Sequence, residues 1–400
     1  MTTAAQPELL PTTNSDRIDA LSEEACRIHD AAMEAYDGGR VDEAERLFRR
    51  ALALFEQVDG REHLDVAAAL GNLGAVLEDR CDYLAAEECY VRAATITEAI
   101  ELEPEMYEED EDVARLRLRS LNNLGSIHRM QGRYAQAEPI IRRALSFAER
   151  TFGAESLEVA GELNNLGMFG KFAGRFDEAA ECYRRALAIL ENHYGKDCAE
   201  AASIYHNLGG LEHARGRFAE GEPFARKSVE LRRRIHDDDH PQIAADVAAL
   251  AALLDGQGKF DEAEELYNRA LGIFTRVYGE EHYEVATTLN NLAMIHQARG
   301  DYARAETSLM RALAIKEKIF GRDNIDVAMT LNNLAVLRGA KGDRENAAEL
   351  YARALVVFEA ELGPDHPTVV ICRENYEDLN RGNTNQMTEP LERGSSAPLW

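Results

Sequence analysis

The residues of this 400-residue chain that could do chemistry recur instead of converging. Histidines stand at His63, His240, His282 and His366, types that could bind metal or act as general bases. They occupy one position of a repeating pattern, however, so whole repeats separate them, and a structural role is the expected one. The acidic run Asp237, Asp238, Asp239 with His240 falls at the same position and reads as a solvated loop. The paired carboxylates of the EAE-like stretches are too regular to mark one active site. Six cysteines (Cys26, Cys81, Cys89, Cys182, Cys198, Cys372) show no CxxC spacing and read as reduced thiols. There is no HExxH, no P-loop, no GxSxG and no GxGxxG placed after a strand. The reading is of a protein that is not an enzyme and needs no metal or cofactor.

Amides, by contrast, are arrayed. Asn72, Asn123, Asn165, Asn207, Asn291 and Asn333 sit in segments such as LNNLG and YHNLG. They lie 42 residues or a multiple of 42 apart, except that Asn72 precedes Asn123 by 51. An amide both donates and accepts hydrogen bonds, so it can pair with peptide groups whatever a ligand's sequence, or bind neighbouring helices together. Both roles stay open at this point.

The elements that must position these amides follow the same clock. Nine residues after the asparagine comes glycine, as at Gly174, Gly216, Gly258 and Gly300, and two later an aromatic, as at Phe176, Phe218, Phe260 and Tyr302. A small residue follows (Ala179, Ala263, Ala305), and seven later the alanine of a RAL-like segment (Ala186, Ala270, Ala312). Apolar spacing of three and four predicts two helices per unit, turning at the glycine. Pro241 and Pro367 are placed to open a helix. Small residue, large residue four on and alanine three further resembles the tetratricopeptide pattern, and the 42-residue unit is similar to the repeats of the kinesin light chain family.

That resemblance implies an all-α fold, a right-handed α-solenoid of tetratricopeptide helix-turn-helix repeats. The expected organisation is a disordered segment 1–17, a solenoid 18–381 of eight 42-residue-type units plus a capping helix, and a disordered tail 382–400. An acidic insertion near 98–112 reads as a solvated loop or an extended helix end. The resemblance further implies a non-catalytic scaffold that binds extended peptide segments of partner proteins in a concave groove lined by the asparagines. By helical periodicity the groove of units three to five also collects Arg119, Ser126, Arg129, Met130, Met168, Lys171, Phe172 and His213, a basic patch with an apolar floor. Units six to eight give Asp255, Thr287, Met294, Gln297 and Val336 instead. The expected partner is a protein or peptide, acidic around an apolar anchor. The alternatives are a peptide-sensing regulatory receptor and a self-assembling structural solenoid.

Charge supports this choice of partner class. The 72 acidic against 45 basic residues leave a net charge of −27, which disfavours nucleic acid and anionic membranes. No apolar run is long enough to span a bilayer, and the first residues lack the features of a secretion signal, so the expected location is cytoplasmic. The repeated basic residue before the RAL-like alanine (Arg50, Arg92, Arg143, Arg185, Lys227, Arg269, Arg311, Arg353) is expected to pair with the repeated glutamates Glu45, Glu87, Glu138, Glu222, Glu264 and Glu306. In the tail, Glu389, Leu391, Glu392, Leu399 and Trp400 could occupy the groove as an internal ligand.

Overall fold

A computed structural model describes residues 14–80, 82–100, 108–131, 133–364 and 366–381. Cys81, Gly132, the middle of the acidic insertion and the tail with Trp400 lie outside the described residues. Seventeen α-helices and one short 3-10 turn (Ala199–Ala201) make up the described regular structure. They alternate as first and second helices of successive repeats: α1 (Asn14–Asp37) and α2 (Val41–Val58), α3 (Leu64–Asp79) and α4 (Tyr83–Ala99), α5 (Glu108–Met130) and α6 (Tyr134–Phe152), α7 (Leu157–Phe172) and α8 (Phe176–Tyr194). Then follow α9 (Ala202–Ala214) and α10 (Phe218–Arg232), α11 (Pro241–Gly256) and α12 (Phe260–Tyr278), α13 (Tyr283–Ala298) and α14 (Tyr302–Phe320), α15 (Ile325–Ala340) and α16 (Arg344–Leu362), and finally α17 (Pro367–Arg381). The second helices open at 41, 83, 134, 176, 218, 260, 302 and 344, so the 42-residue step and its 51-residue exception are those of the sequence.

Local chemistry sets the boundaries. The repeated turn glycines adopt positive φ (Gly174 72°, Gly258 74°, Gly300 78°), a region that a side chain disfavours. Lys259 N–H then reaches back to the Leu254 carbonyl at 2.9 Å, closing α11 with a Schellman-type bond. The recurrent histidines open the next first helix. His63, His240 and His282 each accept through Nδ1 from the backbone N–H two residues on, at 3.3, 3.2 and 3.2 Å, and His366 does the same for Thr368 at 3.2 Å. Asn324 plays this part for α15 at 2.8 Å. These histidines are helix caps. Helix α1 begins at Asn14 and α5 at Glu108, so residues 108–112 of the acidic run open a helix.

The chain divides into two compact units, residues 1–169 and 170–400, with the division inside α7. Within each, helix pairs stack as an all-α solenoid of repeats. In the first unit Phe55, Val66, Leu70, Ala93 and Ile96 share a core. In the second, Val247, Leu250, Tyr267, Phe274, Leu289 and Ile295 form one cluster and Leu331, Tyr351, Phe358, Val369 and Cys372 another. The small residue after LNNL-type leucines is a seat for the second helix of the same repeat. A Cβ on Gly74 would stand 2.4 Å from the Tyr90 ring, and one on Gly125 would stand 2.9 Å from Ile141. Helix α17 has Glu377 where inner repeats bury alanines such as Ala293 and Ala335, and Glu377 is exposed and bonded to Arg381.

The repeated basic residue has different partners from those the sequence suggested. Arg92 meets Glu56, Arg143 meets Glu98 (3.0 Å) and Arg353 meets Glu317 (2.6 Å), all near the end of the preceding repeat, while Arg50 of the first repeat meets Glu24 on α1. The repeated glutamates bond forward to the next repeat's turn: Glu45 to Arg80, Glu222 to Lys259, Glu264 to Arg299 and Glu306 to Lys341. The reason is angular. Five residues separate the two columns, about 140° around a helix, so they face different neighbours.

Candidate functional site

The asparagine column splits in two. In the second compact unit Asn207, Asn291 and Asn333 are buried, at 5%, 7% and 2% exposure. Asn333 donates to Asn290 Oδ1 at 3.2 Å, and Asn291 hydrogen-bonds the buried Tyr267. Asn291 and Asn333 thus tie helix to helix, the second of the two roles open to the column. In the first unit Asn72, Asn123 and Asn165 are half-buried. Asn72 pairs with His29 on α1 at 2.9 Å, and Asn165 hydrogen-bonds the Glu162 carboxylate. Asn123 alone of the first-unit asparagines in this column has no partner among the described residues.

Asn123 lies on α5 in a stripe with Arg119, Ser126 and Met130, at offsets of four, three and four residues that keep one helix face. Arg119 is exposed, has no ion pair among the described residues, and is pulled below the usual arginine range by partial burial. Met130 is 47% exposed, unusual for a large apolar side chain. Arg129, at the edge of the stripe, donates to Ser126 Oγ at 3.3 Å. The stripe therefore combines a cation, an amide free to donate and accept, and an apolar end. That set can hold a carboxylate, a peptide group and a side chain in succession.

Beneath it, Glu162 on α7 is 3% exposed and accepts from Asn122 at 2.7 Å. Burial pushes its carboxyl up to about 7, against the pull of the Asn122 and Asn165 hydrogen bonds. Glu162 went unnoticed in the sequence because its column is Ser120, Ile204, Thr288 and Thr330 elsewhere, with no charge pattern to find. Asp246, also in this column, is held below the usual range. Burial opposes its charge, but His206 at 2.7 Å and Arg232 at 2.9 Å outweigh that.

The rest of the expected groove is placed differently. Met168 on α7 is half-buried in the first unit. Lys171 and Phe172 fall in the second, where Lys171 is only 6% exposed and its ammonium stands 4.6 Å from the Phe172 ring centre. Lys171 is thus a buried side chain instead of the exposed groove cation the periodicity suggested. His213 is half-buried with its ring edge-on to Phe218 at 5.2 Å, and burial, helped by Lys171, lowers it to about 4. Thr287, Met294 and Val336 are core residues, 4% exposed or less, and not groove lining. Asp59, His63 and Asp65 bring ligand atoms within 4.8 Å of one another, all exposed, but His63 Nδ1 is committed to its cap bond.

Among the described residues no helix is long and apolar enough to cross a membrane. A family model described as tetratricopeptide repeat matches residues 24–99, 116–198, 200–275 and 244–318, and a second of that description matches 327–368. No curated protein matches this chain. Among solved structures, a Rap protein complexed with Competence and Sporulation Factor is similar, at 13% identity, TM-score 0.56, covering 91% of this chain and 99% of that one. The apo form of RapI is similar at 14% identity and TM-score 0.55, covering 74% and 98%. A kinesin light chain-type protein from Podospora anserina with nearly identical tetratricopeptide-like repeats has 22% identity and a TM-score of 0.43, covering 52% and 99%. The first two likenesses are of fold.

Proposed function

The chain belongs to the tetratricopeptide repeat family, and we propose that it is a non-catalytic scaffold that holds an extended segment of a partner protein along α5. The observation that carries this reading is the pairing state of two adjacent turns. Arg119 and Asn123 have no intramolecular partner among the described residues, while the corresponding amides of the second unit are buried and bonded. The partner segment runs along the stripe, its backbone paired with the Asn123 amide, a carboxylate at Arg119 and an apolar side chain on Met130. Such a segment is the acidic peptide with an apolar anchor that the sequence led us to expect.

Binding of the full chain to an immobilised library of short synthetic peptides tests the reading. Peptides that combine acidic and apolar residues are retained, and Arg119→Glu weakens them by at least about tenfold and flattens their salt dependence. Retention indifferent to peptide charge, or unchanged by Arg119→Glu, contradicts it.

A further inference from the structure

The fifth repeat departs from its siblings in one coherent way. Its second helix, α10, has 15 residues, whereas α8, α12, α14 and α16 have 19 each. Where other second helices carry Phe48, Tyr90, Ile141, Tyr183, Tyr267, Leu309 or Tyr351, α10 has Ala225. Where six of them carry leucine after the RAL-like alanine, it has Val229. Where six carry glutamate (Glu56, Glu98, Glu149, Glu191, Glu317, Glu359), it has Arg233.

The missing volume leaves an opening. At the start of α10 the helices close up, so that a Cβ on Gly221 would lie 2.6 Å from Leu253. Toward its end a cleft of about 470 Å³ opens between α10, α11 and α12, within the range of roughly 300–1,000 Å³ usual for ligand pockets. Val229, Val247, Leu250 and Leu266 form its floor, and Arg226, Arg233 and Arg234 stand around it with the carboxylate of Glu230, to which Arg234 is bonded. An adjoining recess of about 580 Å³ shares Arg233 and Arg234 and adds Ile235, which is 53% exposed. The charge inversion at Arg233 also redirects its neighbours. Arg269, which by its column should meet a glutamate here, turns to Asp238 at 3.2 Å, and Arg233 shares that carboxylate at 3.1 Å. Arg226 bonds Glu222 at 2.8 Å and Glu262 at 2.6 Å. The Arg226–Glu262 and Arg233–Asp238 pairs are solvent-exposed, weak enough for an incoming carboxylate to replace them, whereas Glu222 is half-buried and bonded to Lys259 and Gln257 as well as Arg226.

We infer that this cleft is a second docking site, for a partner segment that seats one apolar side chain on the Val229–Leu250 floor and sets carboxylates against Arg226, Arg233 and Arg234. The inference rests on the scaffold reading but on a different surface from the α5 stripe. Three arginines around an apolar floor, in a chain of net charge −27, supply the complementarity that selects an acidic occupant over a basic one.

The repeat itself furnishes the test, because two substitutions that abolish the cleft restore the residues its siblings carry. Val229→Leu fills the floor, and Arg233→Glu returns the glutamate that Arg269 can then bond. The probe is a fluorescein-labelled peptide with one leucine among glutamates, compared with peptides bearing glycine for the leucine or lysines for the glutamates. Anisotropy is measured on the full chain carrying Arg119→Ala/Asn123→Ala, which disables the α5 stripe. The leucine–glutamate peptide is expected to bind this background, more weakly in high salt. Adding Arg233→Glu or Val229→Leu is expected to cost at least about tenfold in affinity, with the thermal melt unchanged. Absence of binding in this background, binding indifferent to both substitutions, or equal binding of the glycine or lysine peptides overturns the cleft. A loss of binding caused by Arg119→Ala/Asn123→Ala alone speaks for the stripe and against the cleft, so the two readings fail separately. Arg233 is exposed, so its variant decides the matter if Val229→Leu does not fold.

Discussion

Glu162 shows at one residue how burial is set against hydrogen bonding. Its carboxyl is almost out of water, bonded to two amides and to no cation among the described residues, and is pushed up to about 7 from a usual value of about 4.3. Because the folded value is raised, folding favours the protonated form. The resulting stabilisation is present below about pH 4 and is lost as pH rises through about 7. Glu162→Gln keeps an acceptor for Asn122 and removes the charge. It should stabilise the protein at about pH 8 by up to roughly 3 kcal/mol, with the gain fading as the pH falls from about 7 toward the usual carboxylate range. Thermal melts across pH check this, and a gain independent of pH would show that Glu162 does not change its proton on folding.

At the scale of the element, repeats that share a pattern differ in what fills one position of the second helix. Phe55, Phe274 and Phe358 occupy it in the first, sixth and eighth repeats, and Arg232 and Lys316 in the fifth and seventh. Lys316 is 1% exposed, with its ammonium 3.7 Å from Asp326 on α15 and 5.9 Å from the Tyr283 ring. Burial pulls this lysine down and Asp326 holds it up, with the first effect the larger. Lys316→Met strands a buried carboxylate and should cost roughly 3 kcal/mol. Adding Asp326→Asn should recover most of that, because a buried pair replaced whole is far less costly than one broken. Denaturant titrations of the two single variants and the double variant measure the coupling, and strict additivity would mean the pair does not interact. Such positions also mark where the sequence stops being readable. The helix pairs, the turn glycines and the 51-residue step were legible because a pattern held in one register over eight units shows both its period and its single exception. The charges that depart from these columns, Arg233 among glutamates and Lys316 among phenylalanines and other residues, were present in the sequence but carry no partner there. Only the packed helices supply Asp238 or Asp326.

For the molecule as a whole, a repeated residue serves the repeat wherever the stack can bury it, and becomes available to a partner only where it cannot. The asparagine column was visible in the sequence, but its division was not, since LNNLG around Asn123 and LNNLA around Asn333 differ by one methyl group. What separates them is three-dimensional. Asn333 is 2% exposed and bonded to Asn290, whereas Asn123 is half-buried without a partner among the described residues. Lys171 shows the same rule in reverse, a periodic candidate for the groove that the fold has buried over Phe172. The most direct test sets Asn123→Ala beside Asn333→Ala, reading melting and peptide-library binding on the same samples. The account predicts that Asn123→Ala melts with the parent and loses bound peptide, while Asn333→Ala, which leaves Asn290 unpaired in the core, loses about 1–3 kcal/mol of stability. An Asn123→Ala protein that is destabilised to the same extent and retains its peptides would contradict it.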